Sequence, residues 1–511
     1  MGAFLFGRLN YMAAPKIVIE VATTWIRFHS TRDGDLGGVN ISYFIKGTCQ
    51  EREFDARVNK WILTARYTIY DEREEYAYAP RYMLDSLVRY IEDNSDATIV
   101  QVPVEPIQPV KTDMPIKSNV VLREQQVPIV KFLTDESLGY RPLALQTGGG
   151  KTVATLYAIC KLGYPTLISL GLLIDQWMKS ILQFTDISRD DVYVVKGFDT
   201  LRNLWKAIDN GYRPKILLFS MRTLALYSVE NSEPYASLPP YNELISKLGI
   251  GVKVVDECHL NFNTNVLIDL KSNVKINIYL SATYQRSSYQ GKKIFNMVFP
   301  AELKFGEQFV KKYTTVYVCS YRLSINPRDL GRFRTFKGYS HAKYEAYLAS
   351  HKSVFKYFMD LVIGTSLYKY YDEYRKENQH CLILTQTQNF ACAIAEYLQS
   401  TRSDTVSVFF AGDKSDYGND ENLDASIIVS TIKSCGVGRD IKGLKTCVNT
   451  VSFSSPPQCI QVLGRLREIP NEETIFVDVF NTEVQQHVRH IYNRSAIYDA
   501  RAAKVFKTNL K

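Results

Sequence analysis

Two stretches in which apolar strands alternate with helical periodicity, residues 118–305 and 340–511, predict an α/β chain with two tandem parallel-sheet domains. In front of them, residues 1–100 first alternate apolar and polar positions and then switch to helical spacing, which predicts a small α+β domain. A chain of 511 residues, 46% of them hydrophobic, has room for these cores.

Within the first 100 residues the alternation marks strands at 16–21, 39–45 and 61–70, and apolar spacing marks a helix at 83–91. Pro103, Pro106, Pro109 and Pro115 then space out residues 101–117 as an extended linker. A basic segment, 306–339, separates the two large domains. In the second of these, strands are expected near 381–385, 405–410, 425–431, 446–453 and 474–480. Parallel sheets of this kind carry functional loops at the carboxyl ends of their strands.

The chemistry opens in such a loop. An apolar strand ends at Gln146 and runs into Thr147, Gly148, Gly149, Gly150, Lys151 and Thr152. The glycines let the backbone wrap a phosphate chain and aim N–H groups at its oxygens. Lys151 supplies a point charge for the outer phosphates, and the Thr152 hydroxyl can reach Mg²⁺. A second apolar strand at 252–255 delivers Asp256 to the metal side and Glu257 to a water, the division of labour that phosphoryl transfer needs. The pair, in this order, predicts a nucleotide triphosphatase. Cys258 is explained by its neighbours and is not read as a nucleophile.

Asp-Glu-Cys-His at 256–259, followed by Leu-Ser-Ala-Thr at 280–283, resembles motifs II and III of superfamily 2 helicases, and the rest of that series follows in order. Residues 122–126 sit where a glutamine motif reads adenine. Residues 170–177, ending Asp-Gln-Trp, are similar to motif Ia, and 220–224 to motif Ib. Motif IV is matched at 382–386, motif V at 427–431 with 436–441, and motif VI at 461–467. The resemblance covers residues 115–480. It is nearest to the UvsW-type phage helicases, which share the Asp-Glu-Cys-His form and a leucine, here Leu145, where other phosphate loops begin with Gly or Ala. A poxvirus transcript-release helicase is a more distant likeness.

That resemblance implies two RecA-like domains with ATP and Mg²⁺ as ligands. ATP would be held by Arg123, Gln126, Thr147, Gly148, Gly149, Gly150, Lys151 and Thr152, with Gly438 and Asp440 from the second domain. Mg²⁺ falls to Thr152 and Asp256. The catalytic set is Lys151, Asp256, Glu257, Gln461, Arg465 and Arg467, and Ser281, Ala282 and Thr283 couple hydrolysis to movement. Gln176, Thr223, Thr385 and Thr431 occupy positions that grip a nucleic-acid backbone without reading its sequence. The N-terminal domain is similar in order to that of UvsW proteins, which gives it an accessory DNA-binding role; Arg57, Lys60, Trp61 and Arg66 are its candidate duplex-binding residues.

The chain departs from the family pattern twice. Motif VI usually places its second arginine three residues after the first, but position 468 is Glu and the arginine is Arg467. One residue is about 100° on a helix, so Arg465, at its usual distance from Gln461, ranks ahead of Arg467 unless the local turn is irregular. Second, the Gly/Asp/Asn-rich stretch 411–424 stands where the family has a crossover helix.

Composition bounds the partners. Net charge is +9, yet residues 16–100 carry 11 Lys/Arg against 14 Asp/Glu, so the basic excess lies with the two large domains, where a polyanion would bind. Basic and aromatic residues between those domains (Arg322, Arg328, Arg332, Arg334, Phe336 and Lys337, with Tyr321 and Phe333) suit either a nucleic-acid contact or a solvated linker. The tail 481–511, with six Lys/Arg against two acids, suggests a solvated helix. Nine scattered cysteines without a CxxC pair and seven histidines argue against zinc and for reduced thiols. No run of 18 apolar residues predicts a membrane span. The apolar start is too short for a signal peptide, and Phe6 counts against myristoylation of Gly2.

The sequence therefore leads to an ATP-dependent helicase or translocase on branched or single-stranded DNA in phage replication, recombination or repair. A monomer in the (host-cell) cytoplasm is expected. An RNA-directed or transcription-associated ATPase is the alternative. A non-catalytic scaffold is a second one, opposed by the intact Lys151, Asp256 and Glu257.

Overall fold

The structure is a computed structural model that describes residues 16–29, 44, 47–55, 58–71, 76–146, 148–171, 173–282, 284, 289–306, 311–336, 338–411, 413, 415–435 and 441–510. The strand expected at 39–45 falls, apart from Phe44, outside these residues, as do Arg57 and Lys337. The chain divides into two compact units: Met1–Ala144 with Thr152–Tyr284 and Ser288–Phe305, and Leu145–Lys151 with Gln285–Ser287 and Gly306–Lys511. No helix among the described residues is long and apolar enough to cross a membrane.

The first unit begins with β1 (Lys16–Val21), β2 (Trp25–His29), a hairpin of β3 (Gln50–Asp55) and β4 (Lys60–Arg66), then β5 (Ile69–Asp71), β6 (Tyr76–Pro80) and β7 (Thr98–Pro103). Five of these form a sheet in the order β5-β6-β2-β1-β7, in which β1 is antiparallel to β2 and parallel to β7. The helix Leu84–Asn94 buries Leu87 and Ile91, the face that its apolar spacing predicts.

Residues 101–117 are extended, but they are strapped down along their length. Strand β7 runs on to Pro103, and the Val104 N–H continues the pairing to the Val21 carbonyl at 2.9 Å. Beyond it, the Ile107 N–H donates to the Asn273 carbonyl and the Thr112 N–H to the Gly163 carbonyl. Prolines hold the chain extended, and the N–H groups between them still need partners, which the neighbouring domain supplies.

The same unit contains a six-stranded, all-parallel sheet: β8 (Tyr140–Ala144), β9 (Thr166–Leu170), β10 (Val192–Val195), β11 (Ile216–Ser220), β12 (Val252–Val255) and β13 (Ile276–Ser281), in the order β10-β11-β9-β12-β13-β8. Every residue of β8, β9, β11, β12 and β13 is buried, as it must be in a sheet covered on both faces. Lys253 is tolerated inside β12 because its ammonium pairs with Asp269, which also accepts from the Tyr279 hydroxyl at 2.7 Å.

The second unit has its own parallel sheet. Its strands are β14 (Thr314–Tyr321), β17 (His380–Thr385), β18 (Val406–Phe409), β19 (Ile427–Thr431), β20 (Leu444–Asn449), β21 (Thr474–Asn481) and β22 (Lys504–Asn509), with a small β15 (Arg334–Thr335) and β16 (Gly338–Tyr339) pair apart. The sheet order is β18-β19-β17-β20-β21-β14-β22. The five expected strands are present, and two more join them. Strand β14 lies inside the segment read as a basic connector: Tyr321 is fully buried and shares a 3.0 Å hydrogen bond with the Tyr344 hydroxyl, so it is core and offers no ring to a base. Phe333 is likewise buried, whereas Phe336 is exposed. The tail is also more than a solvated helix. Helix Gln485–Arg501 buries His487, Arg494 and Tyr498, and β22 then pairs with β14. Between β18 and β19, the described residues form short 3₁₀ turns at Asp416–Gly418 and Asp420–Asp424, where a crossover helix is usual.

Candidate nucleotide site and nucleic-acid contacts

Both carboxylates of the second motif leave the carboxyl end of β12. The Asp256 N–H still donates to the Ser169 carbonyl of neighbouring β9 at 3.1 Å, which fixes where the strand stops. The Asp256 carboxylate is then held by its neighbours. Trp177 Nε1 donates to Oδ2 at 2.8 Å, and the Glu257 N–H donates to Oδ1 at 3.0 Å. Glu257 adopts a left-handed backbone with φ +49°, a conformation that side-chain-bearing residues take mainly at sites where surroundings enforce it. Here Cys258 is the anchor: it is fully buried, its N–H donates to the Leu280 carbonyl, and its carbonyl accepts from Asn265 Nδ2.

His259 links this motif to the next. Its Nδ1 lies 3.3 Å from Glu257 Oε2 and 2.9 Å from Ser281 Oγ, with both His259 and Ser281 buried. Sequence spacing alone gave His259 and Trp177 no role. Trp177 stood within the quoted motif, but only the adjacency of β9 and β12 brings its ring to Asp256. Of the three coupling residues, Ser281 and Ala282 are buried at the end of β13, and Thr283 lies outside the described residues.

The glycine turn follows β8, which shares the sheet with β12, with β13 between them. Because all three strands are parallel, the turn and the acidic motif leave the sheet at the same edge. The Gly149 N–H closes the turn onto the Gln146 carbonyl at 3.0 Å. Gly148 and Gly150 have φ of +83° and +80°, and a Cβ on Gly149 would stand 2.7 Å from Leu145 Cγ. So all three glycines are required, and the leucine at 145 makes the middle one so. Helix Lys151–Leu162 starts immediately after the turn, presenting the positive end of its dipole there. A glycine turn with two positive-φ residues and no room for a Cβ at Gly149, followed at once by a helix N-terminus, is chemistry that fits a phosphate chain, and the Asp256 carboxylate and Thr152 hydroxyl are hard oxygen donors of the kind Mg²⁺ takes. Thr147 lies outside the described residues.

The adenine-side pair is local. Gln126 is buried and its Oε1 accepts from the Arg123 N–H at 2.8 Å, while the Arg123 side chain is exposed.

The residues placed on nucleic acid differ in availability. Gln176 is exposed at the start of helix Ile174–Phe184. Thr223 is buried, and its hydroxyl accepts from the Gly197 N–H at 2.8 Å. Thr385 is fully buried and donates to the Thr387 carbonyl at 3.0 Å. Thr431 bonds Ser434 Oγ at 2.9 Å and accepts from the Ser434 N–H. Each threonine hydroxyl is thus engaged within the protein, near the end of a strand.

In the second unit, helix Pro456–Leu463 stops at Gly464, before either arginine. Arg465 and Leu466 continue as tight turns onto the Val462 and Leu463 carbonyls, and Arg467 Nη1 donates to the Gly464 carbonyl at 3.0 Å. The local turn is irregular, the case in which helix spacing no longer orders Arg465 ahead of Arg467. Arg465 is buried, whereas Arg467 is half-buried and stands against Gly148 of the same compact unit, where an added Cβ would meet Nη1 at 2.8 Å. Gln461 lies near the end of the helix. Gly438 and Asp440 fall outside the described residues.

Sheet order defines the class: an α/β protein with two RecA-like parallel-sheet domains and a small α+β domain before them in the chain. No family model matches the chain, and no curated protein matches it in sequence. Among solved structures it is similar to T4 UvsW, at 13% identity over 97% of this chain and 100% of that one, with a TM-score of 0.36. It is also similar to the ATP-dependent Type ISP restriction-modification enzyme LlaBIII bound to DNA, at 12% identity over 83% of this chain and 34% of that one, with a TM-score of 0.48.

Proposed function

We propose that the protein is an ATP-dependent, nucleic-acid-stimulated helicase or translocase that acts on branched DNA in phage replication, recombination or repair. The observation that carries this is the pair Asp256–Glu257 at the end of β12, on the sheet edge where the glycine turn follows β8.

In this reading Gly148–Lys151 hold the phosphates through backbone N–H groups and the Lys151 ammonium. Thr152 and Asp256 would hold Mg²⁺, which would supply charge neutralisation for the phosphates. Glu257 accepts the proton of the attacking water, and His259, hydrogen-bonded to Ser281, stands 3.3 Å from its carboxylate. An arginine of the motif VI turn meets the charge that develops in the transition state, a contribution on the order of a thousandfold in rate. Backbone amides near Thr223, Thr385 and Thr431 grip the strand.

ATPase activity measured in parallel with single-stranded DNA, forked DNA, four-way junctions and RNA tests the proposal. Stimulation greatest with branched DNA supports it. Stimulation by RNA alone would replace it with an RNA-directed ATPase, and no turnover with any of them would leave a scaffold.

A further inference from the structure

The β3–β4 hairpin carries two aromatic rings into solvent. Phe54 and Trp61 are opposite one another in its register, with ring centroids 5.7 Å apart, and they are 50% and 62% exposed. Trp61 is the exposed one of the chain's four tryptophans; Trp25, Trp177 and Trp205 are buried. Open aromatic surface of this size on a strand ladder is costly unless something covers it.

The register shows what shares that face. Residues directly opposite one another, and every second residue along a strand, project to the same side. Arg52 pairs with Leu63, and, past the irregularity between Glu51 and Arg52, Gln50 pairs with Arg66. Arg52 and Arg66, both exposed, therefore flank the two rings. Glu51 and Glu53 project to the other face, where Glu51 is buried and accepts from the Tyr67 hydroxyl at 2.9 Å. Lys60 also belongs to that opposite face, beside Glu53 and away from the aromatic pair. One side of the hairpin thus combines stacking rings with two guanidinium groups, although the region as a whole is acidic.

We propose that this face binds an unpaired DNA strand, with a base stacked on Trp61 and Phe54 and the flanking phosphates met by Arg52 and Arg66. Aromatic platforms edged with arginine suit single strands, whose bases expose their faces; a duplex hides them. The hairpin is also tied to the ATPase motifs. Tyr67, which closes the hairpin base through Glu51, packs 5.4 Å from the Phe262 ring, the first residue of helix Phe262–Asp269 directly after Asp-Glu-Cys-His. A strand held on the hairpin is therefore held at a fixed place relative to the motif II strand end. The proposal rests on the helicase reading above and adds the strand-binding element to it.

Binding of fluorescently labelled single-stranded DNA, duplex DNA and single-stranded RNA to the full chain tests it, read by anisotropy and by quenching of Trp61. Trp61→Ala and Phe54→Ala should each weaken single-stranded DNA binding about tenfold, the loss of one stacked base. Ile62→Ala, opposite Glu53 on the other face and exposed, should leave it unchanged. ATP hydrolysis without DNA and the unfolding temperature should stay at wild-type values in all three. Single-stranded DNA bound equally well by wild type and Trp61→Ala would overturn the hairpin site while the helicase reading stands. Wild-type protein that binds no nucleic acid would remove both. Hairpin-dependent binding confined to RNA, or to duplex, would overturn the proposal for an unpaired DNA strand.

Discussion

Trp177 Nε1 donates a 2.8 Å hydrogen bond to Asp256 Oδ2, joining the helix after β9 to the acid at the end of β12. The two strands are neighbours in the sheet, so the indole sets the carboxylate's orientation from the side. Partners of this kind typically change activity or metal affinity ten- to a hundredfold when removed. Trp177→Phe keeps the ring and deletes the donor. We expect it to raise the Mg²⁺ concentration needed for half-maximal ATP hydrolysis about tenfold, with unfolding temperature little altered. An unchanged Mg²⁺ titration would reduce Trp177 to packing.

Lys151 and Glu257 separate binding from chemistry. Lys151→Ala should abolish hydrolysis while the protein still melts at its normal temperature, because Lys151 opens its helix, is only half-buried and is not core. Glu257→Gln should retain ATP and Mg²⁺ yet turn over about a hundredfold more slowly, the usual cost of a missing general base. Equilibrium nucleotide binding beside steady-state rates decides both. Wild-type turnover in Lys151→Ala, or loss of nucleotide binding in Glu257→Gln, would refute the assigned roles.

Much of this was legible in the residues. Buried parallel strands announce themselves as apolar runs, and the glycine turn and Asp-Glu-Cys-His each follow one, so the two parallel-sheet domains and the acidic site could be placed. Two strands were not. β14 was masked by the arginines and aromatics that follow Tyr321, and β22 by a basic tail whose helix suggested solvent. Contacts that depend on which strands become neighbours, such as Trp177 with Asp256, leave no trace in spacing. Nor does the end of the helix at Gly464, whose φ of −68° stays right-handed while ψ opens to −1°.

Glu345 gives the second unit a titratable anchor for motif IV. Its carboxylate accepts from the Gln386 N–H at 2.6 Å, the Thr387 N–H at 2.8 Å and the Thr387 hydroxyl at 2.7 Å. Burial dominates these donors and pushes the group up to about 7, from an ordinary 4.5. Folding therefore takes up a proton between those values. The associated stability is full below pH 4.5 and is lost as pH rises through about 7. His341, 3.7 Å away, acts in the opposite sense: burial lowers it to about 3, so its share is present above its ordinary 6.5 and lost as pH falls. The two oppose each other in the wild-type profile, so the informative quantity is the difference from Glu345→Gln. Wild-type minus variant unfolding free energy should decline from pH 4.5 to 7 and level off above. A flat difference would mean that the carboxyl is ionised in the fold throughout.

The motif VI arginines should fail differently. Arg467 stands against Gly148 and Arg465 is buried beyond the helix end. If Arg467 meets the phosphates, Arg467→Ala should lower the turnover number about a hundredfold or more with little change in ATP affinity or unfolding temperature, the signature of an interaction made chiefly in the transition state. Arg465→Ala should lower the unfolding temperature as well, since it empties a buried site whose neighbours packed around a long side chain. Steady-state ATPase kinetics at saturating DNA, run beside thermal melts on both variants, separates the two. A larger kinetic loss in Arg465→Ala with an unchanged melt would make Arg465 the phosphate-facing residue and restore the order suggested by its spacing from Gln461.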